Sequence, residues 1–479
     1  MAGGSRSIAV GIATLLVAAV AGVGLLFGVD GAQATAQTQT EAAGPPGNFL
    51  GVASCAGSTC HGRSVPNASP DLGPHPQDTP VGVVRQDEIL LWQDPASAAG
   101  AHSRAFAVLQ EPRSRQIAQR LGLGEATSAP ECLGCHATPA PSPTRGARFL
   151  RSDGVGCEAC HGPASGWLAY HYSAGATHQG NVLRGLVPLE SPRDRAGVCL
   201  DCHFGNEDPN RFVTHRLMAA GHPRISFELD LFSTLQTHHD DDPDYRRRKT
   251  PVSNVQMWAV GQAMALERSL DLFTSPRGRL GIFPEFYFLD CHSCHRRIFD
   301  NPQFDQTIVD NPSRPLTLGM PPYNDENMIM LSAAARVVAR AEGQRFDASS
   351  RAFHEAMTRD PANVRGAAER LKRDAAALAN AFASREIGND QVFQIIGEIT
   401  STAISERFTD YAGSVQAVMA TDTLLSALVA NGGVSANAVQ GIRADINAAY
   451  QAVREPNVYR PRDFRASLGR AAAAIRRLR

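Results

Sequence analysis

Ten cysteines and fifteen histidines are the residues of this chain best suited to chemistry. The cysteines form five pairs, and a histidine directly follows the second cysteine of every pair. Four pairs read C-x-x-C-H, and the remaining pair has four residues between its cysteines. The motifs, called first to fifth in chain order, are Cys55/Cys60/His61, Cys132/Cys135/His136, Cys157/Cys160/His161, Cys199/Cys202/His203 and Cys291/Cys294/His295.

This pattern is typical of covalent c-type haem attachment. Each cysteine forms a thioether with one vinyl group of haem, and two intervening residues let both sulfurs reach the vinyls from one turn of chain. The histidine that follows then lies under the iron as its proximal ligand. We therefore predict five haems c, attached through the ten cysteines, with the five motif histidines as proximal ligands.

Two other uses of paired cysteines explain less of the pattern. An exported chain with an even number of cysteines can form disulfides, and structural zinc sites also use C-x-x-C pairs. Neither requires a histidine after every pair, and five such histidines would arise by chance with a probability on the order of 10⁻⁸. The wide first motif fits least well, because its longer loop must bulge to keep both sulfurs in reach.

Histidines outside the motifs are candidates for the second axial ligands. An iron with two histidines is low-spin and closed, whereas an iron with one histidine keeps an open site for a small molecule. Nine such histidines accompany the motifs, so all five irons can be closed. We predict His102 and His171 as ligands, together with His215 and His222, at least one of which is expected to bind iron. The others remain candidates: His75, His178, His238, His239 and His292.

The elements that position these residues divide the chain into two parts. Residues 49–300 hold every cysteine and fourteen of the fifteen histidines. They are rich in Gly and Pro and show little helical periodicity, as expected of an irregular multihaem cytochrome domain wrapped around its haems. One helix is predicted from Asp94-Pro95 through His102 to about Gln110, ended by Pro112 and followed by a short helix to Leu121.

Residues 324–479 contain no cysteine and one histidine, His354, for which a structural role is expected. Asp360-Pro361 and Ser435 are predicted helix starts, and Asn431-Gly432-Gly433 is a predicted stop. One buried helix face is predicted from four apolar residues at spacings of 4, 3 and 4, namely Val392, Ile396, Ile399 and Ala403. We predict a mainly α protein in which five or six C-terminal helices form a bundle, serving as a docking or assembly module or as a structural cap.

Residues 1–34 are predicted to be an export signal. Arg6 precedes an apolar run from Ile8 to Val29, and Ala32-Gln33-Ala34 has the small-x-small form that signal peptidase cuts. The run is also long enough to span a bilayer, so an uncleaved N-terminal membrane anchor is the alternative. Both predictions place the rest of the chain in the periplasm. Linkers are predicted at 35–48 and, because of its prolines, at 301–323.

Beyond the cysteine pattern, the sequence resembles the tetrahaem cytochromes c that accept electrons from hydroxylamine oxidoreductase in ammonia oxidisers. The shared features are the early first motif, Trp92 ahead of an Ala-His-x-x-Ala segment at Ala101–Ala105, the second and fourth motifs, and His171 after the third. The most specific stretch is Gly-Val-Gly-Cys-Glu-Ala-Cys-His-Gly-Pro, from Gly154 to Pro163. The resemblance covers about residues 49–240.

The resemblance implies a ligand scheme. His102 would serve the third haem and His171 the first, and a histidine from 215, 222, 238 or 239 would serve the fourth. The second haem would be five-coordinate, with an open iron. The chain departs from the family in its wide first motif, its fifth motif, its extra histidines and its C-terminal helices.

Two classes of function fit these features. The first is an electron carrier whose partners are redox proteins, namely an exported or membrane-bound oxidoreductase and other cytochromes. The second is a haem enzyme that reduces or oxidises a small nitrogen or sulfur species at one open iron. No motif ends in Cys-Lys, the mark of pentahaem nitrite reductases, and we expect the carrier. A formal net charge of −1 gives no sign of nucleic-acid binding.

Overall fold

A computed structural model describes residues 47–64, 86–239, 252–279, 284–295, 311, 313–315, 320–405 and 410–479. The described residues are mainly helical, which confirms the predicted fold class, and their only β-structure is three isolated bridges. The predicted export signal, His75 and most of the linker at 301–323 lie outside the described residues.

Short helices carry the second, third and fourth motifs, whereas the first motif lies in a turn. In chain order they are α1 (Glu88–Gln93), α2 (Pro112–Leu121), α3 (Pro130–His136), α4 (Cys157–His161), α5 (Leu168–His171), α6 (His178–Val182), α7 (Pro192–His203), α8 (His215–Ala219) and α9 (Leu229–Leu235). Much of the remaining chain forms turns and 3-10 helices. Two apolar clusters here are small, one centred on Val52, Ile89 and Trp92 and the other on Leu109, Ala118 and Ala126.

The single helix expected from Asp94 to Gln110 is wrong. The chain instead forms two 3-10 helices, Ala98–Ala101 and Ala107–Gln110. Asp94 ends α1 with ψ 114°, the extended conformation that a following proline favours, so Asp94-Pro95 does not start a helix. Pro112 is the first residue of α2, a position where its missing N–H is no loss.

Eight longer helices follow. They are α10 (Asn254–Thr274), α11 (Glu326–Val338), α12 (Arg340–Arg359), α13 (Val364–Ser384), α14 (Asn389–Ala403), α15 (Tyr411–Ala430), α16 (Ala436–Ala452) and α17 (Pro461–Arg476). Seven of them lie in the C-terminal part, where five or six were expected. The difference arises in part at Ala339, whose φ of −143° separates α11 from α12 although neither Pro nor Gly marks the break.

Several local predictions for this part are confirmed. The predicted face of α14 is buried, and α15 ends at Ala430, directly before Asn431-Gly432-Gly433. Ser435 caps α16, its side chain accepting a hydrogen bond from Ala438 N. At the remaining start, Pro361 opens a 3-10 helix that leads into α13, but the Asp360 side chain makes no capping bond.

Helix α10 joins the two parts of the chain. It packs against α7, which carries the fourth motif, and also against α11, α13 and α15. Its start is fixed by a capping box between Ser253 and Gln256, and it is buried on nearly every side, with Trp258 wholly inaccessible. One hydrophobic core therefore extends from α7 to α17, and α10 packs as a member of the bundle although its sequence lies before residue 300.

A buried amide network fixes how these helices meet. Gln262 of α10 donates from Nε2 to Gln416 Oε1 of α15 at 3.2 Å and accepts from Asn327 Nδ2 of α11 at 2.7 Å. Gln416 in turn donates to Phe227 O at 3.0 Å. Because buried amides are costly when unpaired, this network favours a single helix register.

Helix α15 is long and apolar enough to cross a membrane, judged by length and composition alone. Of its most apolar window, 78% is buried within the protein. In this structure it is a core helix of the bundle.

Gly261 on α10 should not tolerate even one added methyl group. A Cβ there would lie 2.4 Å from Leu229 Cβ, because α9 approaches α10 closely at this point. We expect Gly261→Ala to lower the free energy of unfolding by about 1–3 kcal/mol through overpacking, measured by thermal or denaturant unfolding.

Gly397→Ala on α14 is the matched control, since a Cβ at Gly397 meets nothing within 4 Å. It should stabilise the protein by up to about 1 kcal/mol through helix propensity. Equal effects of the two substitutions would contradict the close approach of α9 to α10.

Candidate haem-binding sites

Each of the five motif histidines faces a second histidine. The distances between ring centres are 6.2 Å for His61 and His171, 6.2 Å for His136 and His222, 6.0 Å for His203 and His102, and 6.1 Å for His295 and His215. His161 faces His238 at 6.5 Å and His239 at 5.6 Å. The four histidines predicted as second ligands each lie opposite a different motif.

These separations fit an iron held between two imidazoles. A metal–nitrogen distance of about 2 Å on each side, with each nitrogen roughly 1 Å from its ring centre, places the ring centres about 6 Å apart. The residues present therefore suit bis-histidine ligation at every motif.

The second pair also has the hydrogen bonds that such ligation needs. Nδ1 of His136 donates to Ala105 O at 2.8 Å, and Nδ1 of His222 donates to Pro223 O at 2.8 Å. A carbonyl only accepts, so both protons lie on Nδ1 and both Nε2 atoms keep a lone pair. Burial also lowers the pKa of His222, which favours the neutral form that binds metals.

The first pair differs because its partner is a charged side chain. Nδ1 of His61 donates to Glu88 Oε2 at 3.0 Å. This hydrogen bond raises the pKa of His61, although burial opposes it. His171, at the end of α5, packs edge-on against Trp167. The extra residues of the wide first motif form a turn in which His61 N donates to Cys55 O at 3.1 Å.

At the third motif two histidines compete for one position. Ligand atoms of His161, His238 and His239 all lie within 4.8 Å of one another. Nδ1 of His238 donates to Gln236 O at 2.8 Å, which leaves Nε2 for a metal. The His239 side chain is 46% exposed and lies 3.8 Å from Glu88. The geometry favours His238, which was among the weaker candidates from sequence.

The fourth pair is the most enclosed. His203 ends α7, and Phe232 and Phe227 pack against its ring. Burial lowers the pKa of His203 to about 4 and also lowers the pKa of His102. The buried Nδ1 of His203 has no hydrogen-bond partner within the described residues.

The fifth motif is attached to the helical bundle. Asp290 Oδ2 accepts from Ser293 N at 3.0 Å and caps the 3-10 helix Cys291–Ser293, while its Oδ1 accepts from Tyr411 N at 3.1 Å at the start of α15. His292 donates from Nδ1 to Pro456 O at 2.9 Å. Opposite the motif, His215 N donates to Glu285 Oε1 at 2.6 Å.

The segment before the third motif connects several sites. Trp92 Nε1 donates to Val155 O at 3.3 Å, and Val155 N donates to His102 O at 3.0 Å. The buried Glu158 carboxylate accepts from Leu50 N, Gly51 N and Ala164 N at 2.7–2.8 Å. The most specific stretch of the sequence resemblance is thus the part of the chain that holds the first motif, the third motif and His102 together.

All ten cysteine thiols are free of disulfides. Thiols of different motifs lie close together, since the Cys157 thiol raises the pKa of the Cys55 thiol, and Cys135 Sγ is 3.9 Å from Cys202 O. The first motif therefore adjoins the third, and the second adjoins the fourth.

Two of the predicted attachment cysteines, Cys60 and Cys294, are exposed, whereas the other eight are buried or half-buried. The cause is local: Cys60 lies in the turn of the wide first motif, and Cys294 lies just past the single-turn 3-10 helix Cys291–Ser293, with its N–H bonded to Cys291 O at 3.3 Å.

The ligand scheme implied by the resemblance differs from the structure at the second, third and fourth motifs. His102 faces the fourth motif instead of the third, and His222 faces the second motif, whose iron was expected to be open. The cause is the set of additional histidines, because His238 and His239 supply the third motif from beyond α9.

The remaining histidines are held by other contacts. His178 bonds to Glu190, and His292 packs edge-on against Tyr459. His354 is buried 3.7 Å from Asp325, as expected of a structural residue. Glu88 was not identified from the sequence, where no spacing or motif marks it.

Residues 95–162 match the family model described as cytochrome c554 and c-prime. No curated protein and no solved structure matches the chain significantly. The matched segment contains His102 and the second and third motifs, so the match supports a cytochrome c family. Such a family implies covalently bound haem c.

The second site can be tested by removing His222. We expect His222→Ala to turn one low-spin iron high-spin without loss of covalent haem, because the thioethers and His136 remain. Electron paramagnetic resonance of the oxidised protein, together with its intact mass, measures both properties. His178→Ala is the control, and a spectrum that His222→Ala leaves unchanged would contradict the pairing with His136.

The choice between His238 and His239 has an equally direct test. His238→Ala should produce the high-spin signal, whereas His239→Ala should leave all irons low-spin, because Nε2 of His238 is already positioned by the bond to Gln236 O. The opposite pattern in the same spectra would assign the third site to His239.

Proposed function

We propose that this chain is an exported five-haem c-type cytochrome that transfers electrons between redox partners. The observation that carries the proposal is the second histidine opposite every motif histidine, at nearly constant separation. Irons closed by two imidazoles exchange electrons without binding a substrate, and ligation and burial set their potentials.

The contacts between motifs support a continuous path for electrons. The first motif adjoins the third through Cys55 and Cys157, and Cys160 of the third lies close enough to Cys199 of the fourth to interact electrostatically. The fourth adjoins the second through Cys202 and Gly134.

The path extends to the fifth motif through α8. Its first residue, His215, faces the fifth motif, and His222, just beyond its end, faces the second. The order first, third, fourth, second, fifth follows, in which electrons need cross only short gaps between neighbouring sites. The exposed cysteines Cys60 and Cys294 belong to the first and fifth motifs, the two ends of this order.

The proposed location is the periplasm, with the chain either soluble or held by an uncleaved N-terminal helix. The proposed partners are an exported or membrane-bound oxidoreductase and other cytochromes. The C-terminal bundle supports the fifth site through Asp290 and α15, so it acts at least as a scaffold for one end of the path.

The test is a low-temperature electron paramagnetic resonance spectrum of the oxidised protein, with the haem count fixed by intact mass. We expect five haems per chain and only low-spin signals, unaltered by nitric oxide or cyanide. A high-spin signal of one haem per chain that shifts with these ligands would overturn the carrier and favour an enzyme. A lower mass would overturn the count of five.

A further inference from the structure

Glu88 lies between the ligands of two neighbouring sites. Its Oε2 accepts from Nδ1 of His61, and its Oε1 is 3.8 Å from Nδ1 of His239, next to the favoured ligand of the third site. The side chain is only 13% exposed. A carboxylate so enclosed is screened weakly by solvent, so its charge acts strongly on the ring it touches.

The backbone around Glu88 fixes this contact. Ile89 N donates to His61 O at 3.0 Å, and Arg63 N donates to Gln86 O at 2.7 Å. Ile89 also packs in the apolar cluster with Val52, in the 3-10 helix just before Cys55. The start of α1 is thus bound to the first motif on both sides of Glu88. These backbone bonds hold Glu88 next to His61.

The second site provides a contrast within the same molecule. His136 also donates from Nδ1, but its acceptor is the neutral carbonyl of Ala105. The two proximal histidines therefore have the same tautomer and differ by one negative charge on the acceptor.

We infer that Glu88 is a positioning residue for the first haem that, through His61, lowers the reduction potential of its iron. A carboxylate acceptor draws the Nδ1 proton away from the ring and makes Nε2 a stronger electron donor. Ferric iron carries one more positive charge than ferrous iron, so the oxidised state gains more from this donor. The inference rests on the proposed attachment of haem at the first motif.

The experiment is a potentiometric titration of the full-length haem protein, followed by electron paramagnetic resonance. Glu88→Gln keeps the shape and an acceptor oxygen but removes the charge. We expect the ferrous-to-ferric ratio of the first haem, at a fixed applied potential, to rise roughly tenfold, equivalent to about 59 mV. The signal of that haem is identified as the one converted to high-spin by His171→Ala.

Asp94→Asn, at the other end of the same helix, is the matched control, because Asp94 bonds to Ala96 N and not to a histidine. It should shift the first haem much less. Glu88→Asp keeps the charge one methylene further from His61 and should shift the potential in the same direction as Glu88→Gln, but less.

Each outcome bears on the inference. An unchanged potential in Glu88→Gln, or a shift no larger than in Asp94→Asn, would overturn it. Should Glu88→Gln fail to accumulate, Glu88→Asp decides by the same measurement, and a shift to lower potential would overturn the inference. Failure of the proposed function gives a different result. If the mass of the wild-type protein shows no haem on Cys55 and Cys60, the first site itself does not exist.

Discussion

Pairing of imidazoles across long stretches of sequence is the constraint on which the motif-bearing part of this protein depends. His102 meets His203 and His61 meets His171, in each case over about a hundred residues of chain. The apolar clusters of residues 47–239 outside the main core are small. A metal bound between two such rings would fix both segments at once, the task that helix packing performs elsewhere.

The C-terminal bundle is held together by ordinary helix packing, and α10 connects it to the motif-bearing part of the chain. Its buried surface meets α7 on one side and the bundle on the other, and its buried amides are paired with α11 and α15. The fifth motif shares this dependence, because Asp290 caps it and accepts from Tyr411 N. The bundle thereby holds the fifth motif at a fixed position, and none of its described histidines faces a motif histidine.

Prediction from sequence succeeded where spacing determines structure. The face of α14 and the cap at Ser435 follow from local periodicity and capping, and both are found. The helix expected from Asp94 is absent because Pro95 holds Asp94 extended, an effect that competes with the capping signal. The break at Ala339 has no Pro or Gly to announce it. The candidate site divides in the same way, because a motif histidine is marked by the cysteine beside it, whereas the fold decides which motif a second histidine faces. His238 and His239 carry no spacing signal at all, and they reach the third motif because α9 ends beside it.

Two glutamates show how far a residue's role depends on what it touches. Glu158 lies inside the third motif, and its carboxylate accepts hydrogen bonds from three backbone N–H groups. These bonds join separate segments of the chain. Glu88 has no motif around it, and its carboxylate faces imidazole rings instead. A charge that meets only backbone dipoles stabilises the fold, whereas a charge that meets an iron ligand also biases the oxidation state of the metal. The glutamate within the motif is therefore structural, and the one outside it is the residue that we infer to tune the first haem.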